Sequence, residues 1–191
     1  MEDPKLIESL KALYQSLREQ TLSKWNRDLP FDELMFDRWE RASALGFGEK
    51  SSVYHNSYVF GNVKVGANTW VGPFTLLDGT GGLSIGDYCS ISAGVHIYSH
   101  NTVKWAVSGG KMPYEHAEVV IEDCCFIGPQ SIVSAGVRIG KHSVVAANSF
   151  VNKDLPPFSI AAGNPAIIIG EVILDENSQV SFSYFNKEHK D

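Results

Sequence analysis

Aliphatic residues return at every sixth position through most of this chain: Val53, Val59, Val65, Val71 and Leu77, then Ile85, Ile91 and Ile97, then Ile121, Ile127, Val133, Ile139, Val145 and Val151. An amphipathic helix repeats at about 3.6 residues and a half-buried strand at about 2, so neither accounts for the pattern. A sustained period of six predicts that each hexad forms one short flat side of a coil, with its aliphatic residue pointing into a shared interior. The pattern therefore predicts an all-β solenoid. Two places before many rungs stands a small or medium residue (Val63, Thr69, Leu83, Cys89, Val119, Cys125, Ser131, Val137, Ser143, Ser149). A glycine often follows the rung, as at Gly66, Gly72, Gly86, Gly128 and Gly140. Such residues suit tight corners between flat faces.

The ladder occupies about residues 51–154 and divides the chain into three parts. In the N-terminal segment, residues 1–50, a helix is predicted over 3–20: Asp3 can cap it, Pro4 suits its first turn, and Leu6, Leu10, Leu13 and Leu17 form a stripe. A second helix is predicted from Pro30 to about Leu45, stopped by Gly46. These stripes are expected to pack on the end of the solenoid or on a neighbouring subunit. Pro156 and Pro157 break the ladder, so residues 155–191 read as a cap and tail, with a capping strand within 160–170 and an exposed or loosely docked end from Asp175.

Two interruptions carry more information than the regular rungs. Between Leu77 and Ile85 the interval is eight, and Gly79, Thr80, Gly81 and Gly82 absorb the surplus as a flexible corner. Between Ile97 and Ile121 it is 24, which is 18 more than one hexad, so a loop of about residues 98–118 leaves the coil. Binding and catalytic groups concentrate on loops held by a rigid scaffold. His100 stands at the root of this one, with Lys104, Trp105, Lys111, Tyr114, Glu115 and His116 further out. His96 is expected to point outward from a flat face, and structural roles are expected for His55, His116, His142 and His189.

Composition adds exclusions. The 191 residues are 43% hydrophobic and 20% charged, as in ordinary soluble domains. No run approaches the roughly 18 apolar residues that span a bilayer, and MEDPKLIESL lacks the blocks of a signal peptide, so a cytoplasmic protein without membrane insertion is expected. A net charge of −6 argues against a nucleic-acid partner, which would call for a basic face. Cys89 and Cys125 fall in the small-residue track as compact hydrophobes, and with Cys124 they suggest neither a disulfide framework nor a zinc site.

The hexad ladder, the histidine of IYSHN at a loop root and the run IGPQSIVSAGVRIGKHSVVAANSFVNKDLPPFSIAAGNPA together resemble the hexapeptide-repeat acyltransferases. They lie close to the sugar O-acetyltransferase branch with maltose and galactoside acetyltransferases, and the resemblance covers about residues 51–170. It implies a left-handed parallel β-helix of triangular section, three hexads per coil, assembled as a homotrimer. The active sites of such proteins lie between subunits, with acetyl-CoA along the groove and the loop closing over a small-molecule sugar acceptor. The implied chemistry is direct acetyl transfer to a hydroxyl, in cell-surface polysaccharide metabolism, without a metal. His100 is the implied general base, and a backbone N–H near the coil edge would stabilise the oxyanion.

Further sites follow from the same resemblance and from the loop. Asn101 can orient the ring, meet the acceptor or form a turn, Trp105 can stack on a sugar or anchor the loop, and Lys111, like Lys104, can meet a charged acceptor. Pro129 and Ala147 are expected along the pantetheine arm of the cofactor, with Asn152 and Lys153 nearer its nucleotide. The family often carries Lys or Arg directly after GNPA, but Ile167 stands here, which leaves Lys153, Lys141 or Arg138 to meet the phosphates. N-acetylation of a nucleotide-linked amino sugar and acetylation of an antibiotic-like molecule are alternatives. Two other classes share the coil: γ-class carbonic anhydrases, which need three converging histidines, and non-catalytic trimeric scaffolds. His96 and His100, four residues apart, are out of register with the six-residue coil.

Overall fold

A hexad makes a flat side only if the backbone turns sharply at its end. In the computed structural model, which describes residues 3–185, the corners turn through the left-handed region. Asn68, Tyr88, Cys124, His142 and Phe158 fall at equivalent corners with φ between 55° and 63°, and strands such as Trp70–Val71 are held to two residues.

Three parallel ladders result. The first face pairs Ser52 with Trp70, then Ser90, Phe126, Val144 and Ile160. The second stacks Tyr58, Leu76, His96, Ile132 and Phe150. The third stacks Lys64, Ser84, Val120 and Arg138, and Leu155 bridges to Ile139. Each coil visits all three faces, giving the triangular section of a left-handed β-helix of about six turns. The rungs fill its interior: Val53, Val71, Leu77, Ile91, Ile97, Ile127, Val133, Ile139, Val145 and Val151 are fully buried.

The small-residue track joins successive coils. Hydroxyls of Ser57, Thr69 and Ser131 donate to the carbonyls of Gly72, Gly86 and Ala146 in the coil that follows, at 2.8–2.9 Å. The buried thiols of Cys89 and Cys125 occupy the same track, reaching the carbonyls of Glu122 and Gly140 at 3.1 and 3.3 Å. All three cysteines are free.

Coil length is 18 residues from Ser52 to Trp70 and from Phe126 to Val144, but 20 from Trp70 to Ser90, 36 from Ser90 to Phe126 and 16 from Val144 to Ile160. Each departure falls at the edge between the second and third faces. In the second coil it is Asp78–Gly82, in the third the long loop, and in the fifth the shortened turn Asn152–Asp154.

The ends depart from the sequence expectation at both termini. Helix α1 runs Pro4–Trp25, beyond the predicted end, with Asp3 accepting from the Lys5 N–H. None of its residues is buried; it meets α2 through the edge-to-face pair Tyr14–Phe31, and Leu6, Leu10 and Leu13 of its stripe are exposed. The second predicted helix is two, α2 (Phe31–Met35) and α3 (Arg38–Ala44), because Phe36 is extended and Asp37 caps a new start by accepting from Trp39 and Glu40 N–H groups. It is α3 that closes the coil: Arg41 donates to the carbonyls of Tyr54 and Ser57. The capping strand expected within 160–170 forms as Ser159–Gly163, but it pairs parallel to the first ladder and so continues the solenoid past the prolines. Ala166–Leu174 and Val180–Tyr184 then extend that sheet antiparallel, so the tail is paired through Tyr184. His189 lies outside the described residues. No helix among the described residues is long and apolar enough to cross a membrane.

Replacing Ile127, a rung with no exposure, by alanine should cost about 3 kcal/mol through lost burial and an unfilled cavity. Urea unfolding checks this as a lower midpoint at unchanged slope; an unchanged midpoint would contradict the buried stack.

Candidate active site

The long loop is folded. Its root is a two-stranded antiparallel ribbon of His100–Asn101 and Glu115–His116, in which His100 pairs with His116 and Asn101 with Glu115. Between the strands lies a short helix, α4 (Val103–Val107). Lys104 meets Glu115 at 2.6 Å, and the rings of Trp105 and Tyr114 pack edge to face at 5.2 Å. These contacts hold the ribbon closed at its outer end.

Beneath the ribbon lies the extra corner of the preceding coil, and the two insertions meet there. Asp78 is 1% exposed. Its Oδ1 accepts from the Thr80 N–H at 2.9 Å and the Thr80 hydroxyl at 2.7 Å, and its Oδ2 from the Ser99 N–H at 3.0 Å and from His100 Nδ1 at 2.5 Å. Burial alone would push the Asp78 carboxyl up, but the hydrogen bonds from Thr80, His100 and Ser99 together outweigh it and hold the group at about 2, against an ordinary 3.8. Asp78 is therefore ionised at neutral pH.

That charge sets the chemistry of the neighbouring ring. An ionised carboxylate can only accept, so His100 Nδ1 carries the hydrogen that it shares with Asp78. In the neutral imidazole the lone pair then resides on Nε2, the nitrogen directed away from the carboxylate. The side chain of His100 is 34% exposed, open enough to meet a substrate. A fixed tautomer with a free basic nitrogen at a solvent-accessible edge is the arrangement a general base requires.

Asp78 escaped the sequence reading, which took Gly79, Thr80, Gly81 and Gly82 as a flexible corner and stopped one residue short of it. Its signal was the spacing of the breaks: the first lies one coil before the second and at the same edge.

The other expected residues are dispersed. Asn101 is exposed and accepts the Val103 N–H at 2.8 Å, so its side chain begins α4 as a turn-former. Trp105 packs on Tyr114 within the loop, and Lys111 is exposed there. Pro129 and Ala147 are exposed in successive coils at the edge between the first and second faces, where Gly128 is required because a Cβ would lie 2.5 Å from the Ala147 nitrogen. Asn152 and Lys153 are exposed at the other edge of the second face, the edge that carries His100. Arg138, one of the three stand-in cations, is committed to Glu122 through Nε at 2.9 Å and Nη2 at 2.5 Å. His96 faces outward between Leu76 and Ile132, its Nδ1 3.3 Å from the Tyr98 hydroxyl, and the Tyr98 ring stands edge to face between it and His100, with centroids 6.0 and 6.5 Å away. His142 stacks on Phe158 at 4.9 Å.

Comparison with known proteins agrees with this architecture. Residues 118–153 match the family described as bacterial transferase hexapeptide (six repeats). A 2,3,4,5-tetrahydropyridine-2,6-dicarboxylate N-acetyltransferase of Clostridium perfringens is 44% identical over 66 residues, which is 35% of this chain and 28% of that protein. The match thus spans under a third of the relative's length. Among solved structures, a hexapeptide-repeat-containing acetyltransferase from Vibrio cholerae is 25% identical with a TM-score of 0.60, over 86% of this chain and 92% of that one. It has also been solved with acetyl-CoA, where the match is 26% identical with a TM-score of 0.52, over 88% and 90%. A galactoside acetyltransferase in complex with coenzyme A shares the fold at 24% identity and a TM-score of 0.60, over 86% and 82%. Residues 118–153 thus carry the hexapeptide repeat of that family, and the chain as a whole shares the β-helix of solved hexapeptide-repeat acetyltransferases.

Proposed function

We propose that the chain transfers an acetyl group from acetyl-CoA to a hydroxyl of a sugar or sugar-derived acceptor, with His100 as general base. The observation that carries the reading is the Asp78–His100 pair at 2.5 Å at the root of an extruded loop. The acetyl-CoA held by the Vibrio cholerae protein supports the choice of donor. A non-catalytic scaffold would leave a buried, fully hydrogen-bonded carboxylate aimed at an exposed imidazole without a task.

An alcohol is a poor nucleophile at neutral pH. As the acceptor oxygen attacks the thioester carbonyl carbon, its proton passes to Nε2 of His100, while the Asp78 carboxylate stabilises the imidazolium that forms. The tetrahedral intermediate collapses with cleavage of the C–S bond, and the sulfur leaves with the proton returned by Nε2. The products are an acetyl ester and the CoA thiol, and the ring is restored. No covalent enzyme intermediate is needed.

Assembly as a homotrimer is part of the proposal. The second face presents Tyr58, Leu76, Ile132 and Phe150 outward in one column, interrupted only by His96, with Tyr58 and Ile132 63% and 39% exposed. An apolar column of this kind favours burial against another copy. The face is bounded on one side by Pro129 and Ala147 and on the other by His100, Asn152 and Lys153. Association there would bring the cofactor edge of one copy towards the histidine edge of the next. With Ile167 uncharged and Arg138 held by Glu122, Lys153 and Lys141 are left for the CoA phosphates. A cytoplasmic role in cell-surface polysaccharide metabolism completes the reading.

A second reading, N-acetylation, is favoured by the name of the Clostridium perfringens relative. The same imidazole would serve an amine that arrives neutral, and an acceptor panel containing amino sugars separates the two.

His100→Ala should lower acceptor-dependent thiol release from acetyl-CoA by at least about 100-fold; equal release by both proteins would sink the assignment. Stability provides an independent check on Asp78. Its folded carboxyl holds a proton less readily than the unfolded chain does, so its contribution is whole above pH about 4 and is lost as the pH falls towards about 2. The shift from 3.8 to about 2 corresponds to about 2 kcal/mol. Urea midpoints of the wild type should therefore fall more steeply with acid than those of Asp78→Asn, and parallel curves would refute an ionised Asp78.

A further inference from the structure

The ribbon at the loop root has two sides with different contents. Directly paired residues of antiparallel strands project to the same side, so Asn101 and Glu115 share one and His100 and His116 the other. On the first, Glu115 takes Lys104 and Asn101 begins α4, and both side chains serve to hold the loop. On the second stand two imidazoles, with ring centroids 6.2 Å apart and planes inclined by 33°. His100 is tied down to Asp78, whereas His116 is exposed and makes no side-chain hydrogen bond among the described residues.

The corner below admits the strand that carries this second ring. A Cβ on Gly81 would collide with the Ser99 carbonyl and lie 3.2 Å from His116 Cβ. Glycine thus lets the His116 strand lie against the Asp78–Gly82 corner, where the Ser99 hydroxyl accepts from the Gly81 N–H at 2.8 Å. The Ala117 N–H donates to the Ser99 carbonyl at 2.9 Å and fixes the strand directly after His116. Backbone contacts on both sides thus fix the strand that carries this exposed imidazole, and the ring itself takes no part in them.

We infer that His116 contacts the acceptor, binding the hydrogen-bonding group next to the one that His100 deprotonates. This rests on the transferase reading above and narrows its substrate class. A neutral imidazole accepts at one nitrogen and donates at the other, so it suits a neighbouring hydroxyl whichever way that hydroxyl's proton points. Two such rings side by side fit an acceptor with adjacent hydroxyls, or a hydroxyl beside an amine, as on a sugar ring. A simple alcohol satisfies only one of them. His116 is on this account a specificity-determining residue, while proton transfer stays with His100.

The test uses methyl β-galactopyranoside as the vicinal-hydroxyl probe and 1-propanol as the single-hydroxyl one, with thiol release from acetyl-CoA as the readout. His116→Ala should raise KM for the galactoside about 10-fold, the loss of one hydrogen bond, with kcat within about twofold. His116→Gln, which keeps a donor and an acceptor, should recover most of that loss, and neither variant should change KM for propanol. Separately, adding the galactoside to histidine-labelled wild-type protein should move the His116 ring resonances. Unchanged galactoside KM in His116→Ala, or an equal fall in kcat and thermal midpoint, would overturn the inference in favour of a structural role. A still His116 resonance alongside His100-dependent release would overturn the contact alone. A shifted resonance without thiol release would overturn the transfer reading and leave the contact standing, and silence in both would overturn both.

Discussion

The interior of this solenoid accepts one aliphatic side chain per side, stacked rung on rung, and that restriction governs the rest of the molecule. A strand two residues long has no room for an extra residue, because a shift of one place would turn the inward side chain outward. Any insertion has to leave through a corner. Here each departure from regular coil length occurs at one corner, between the second and third faces, so one edge of the prism collects the irregular backbone while the other two stay regular.

The candidate site follows from that concentration. Stacked coils place residues from different parts of the chain in fixed register, and the irregular corner of the second coil lies under the loop of the third. Asp78 is thereby buried beneath His100, with enough donors around it to stay charged in a low-exposure setting. A buried carboxylate lacking those donors would tend to take up a proton and lose its hold on the ring. Rigidity is also supplied by the stack: the hydroxyls and thiols of the small-residue track bond from one coil to the next, so the partners of His100 are held by neighbouring coils rather than by the loop alone.

Much of the architecture was legible because a period of six is a local property. The rungs other than the half-buried Val59 are buried as the spacing predicts, the glycine-rich corner and the long loop fall where the ladder breaks, and Asp3 and Gly46 mark helix ends as their chemistry suggests. The misreadings arose where a tertiary partner outweighed local pattern. One predicted helix became two because Phe36 is extended and Asp37 makes a second cap. The strand expected beyond Pro156 and Pro157 continues the first ladder because a parallel sheet edge was waiting for it. Asn101, left open between ring, acceptor and turn, forms the turn that begins α4.

From the sequence alone came the coil, the place where it is interrupted and the histidine standing at the interruption, since each is written in spacings of a few residues. Only the tertiary structure decided what surrounds that histidine. Asp78 lies 22 residues before it and His116 lies across the ribbon, and both become neighbours through coil stacking and strand register, which act between segments too far apart for any local pattern to reveal.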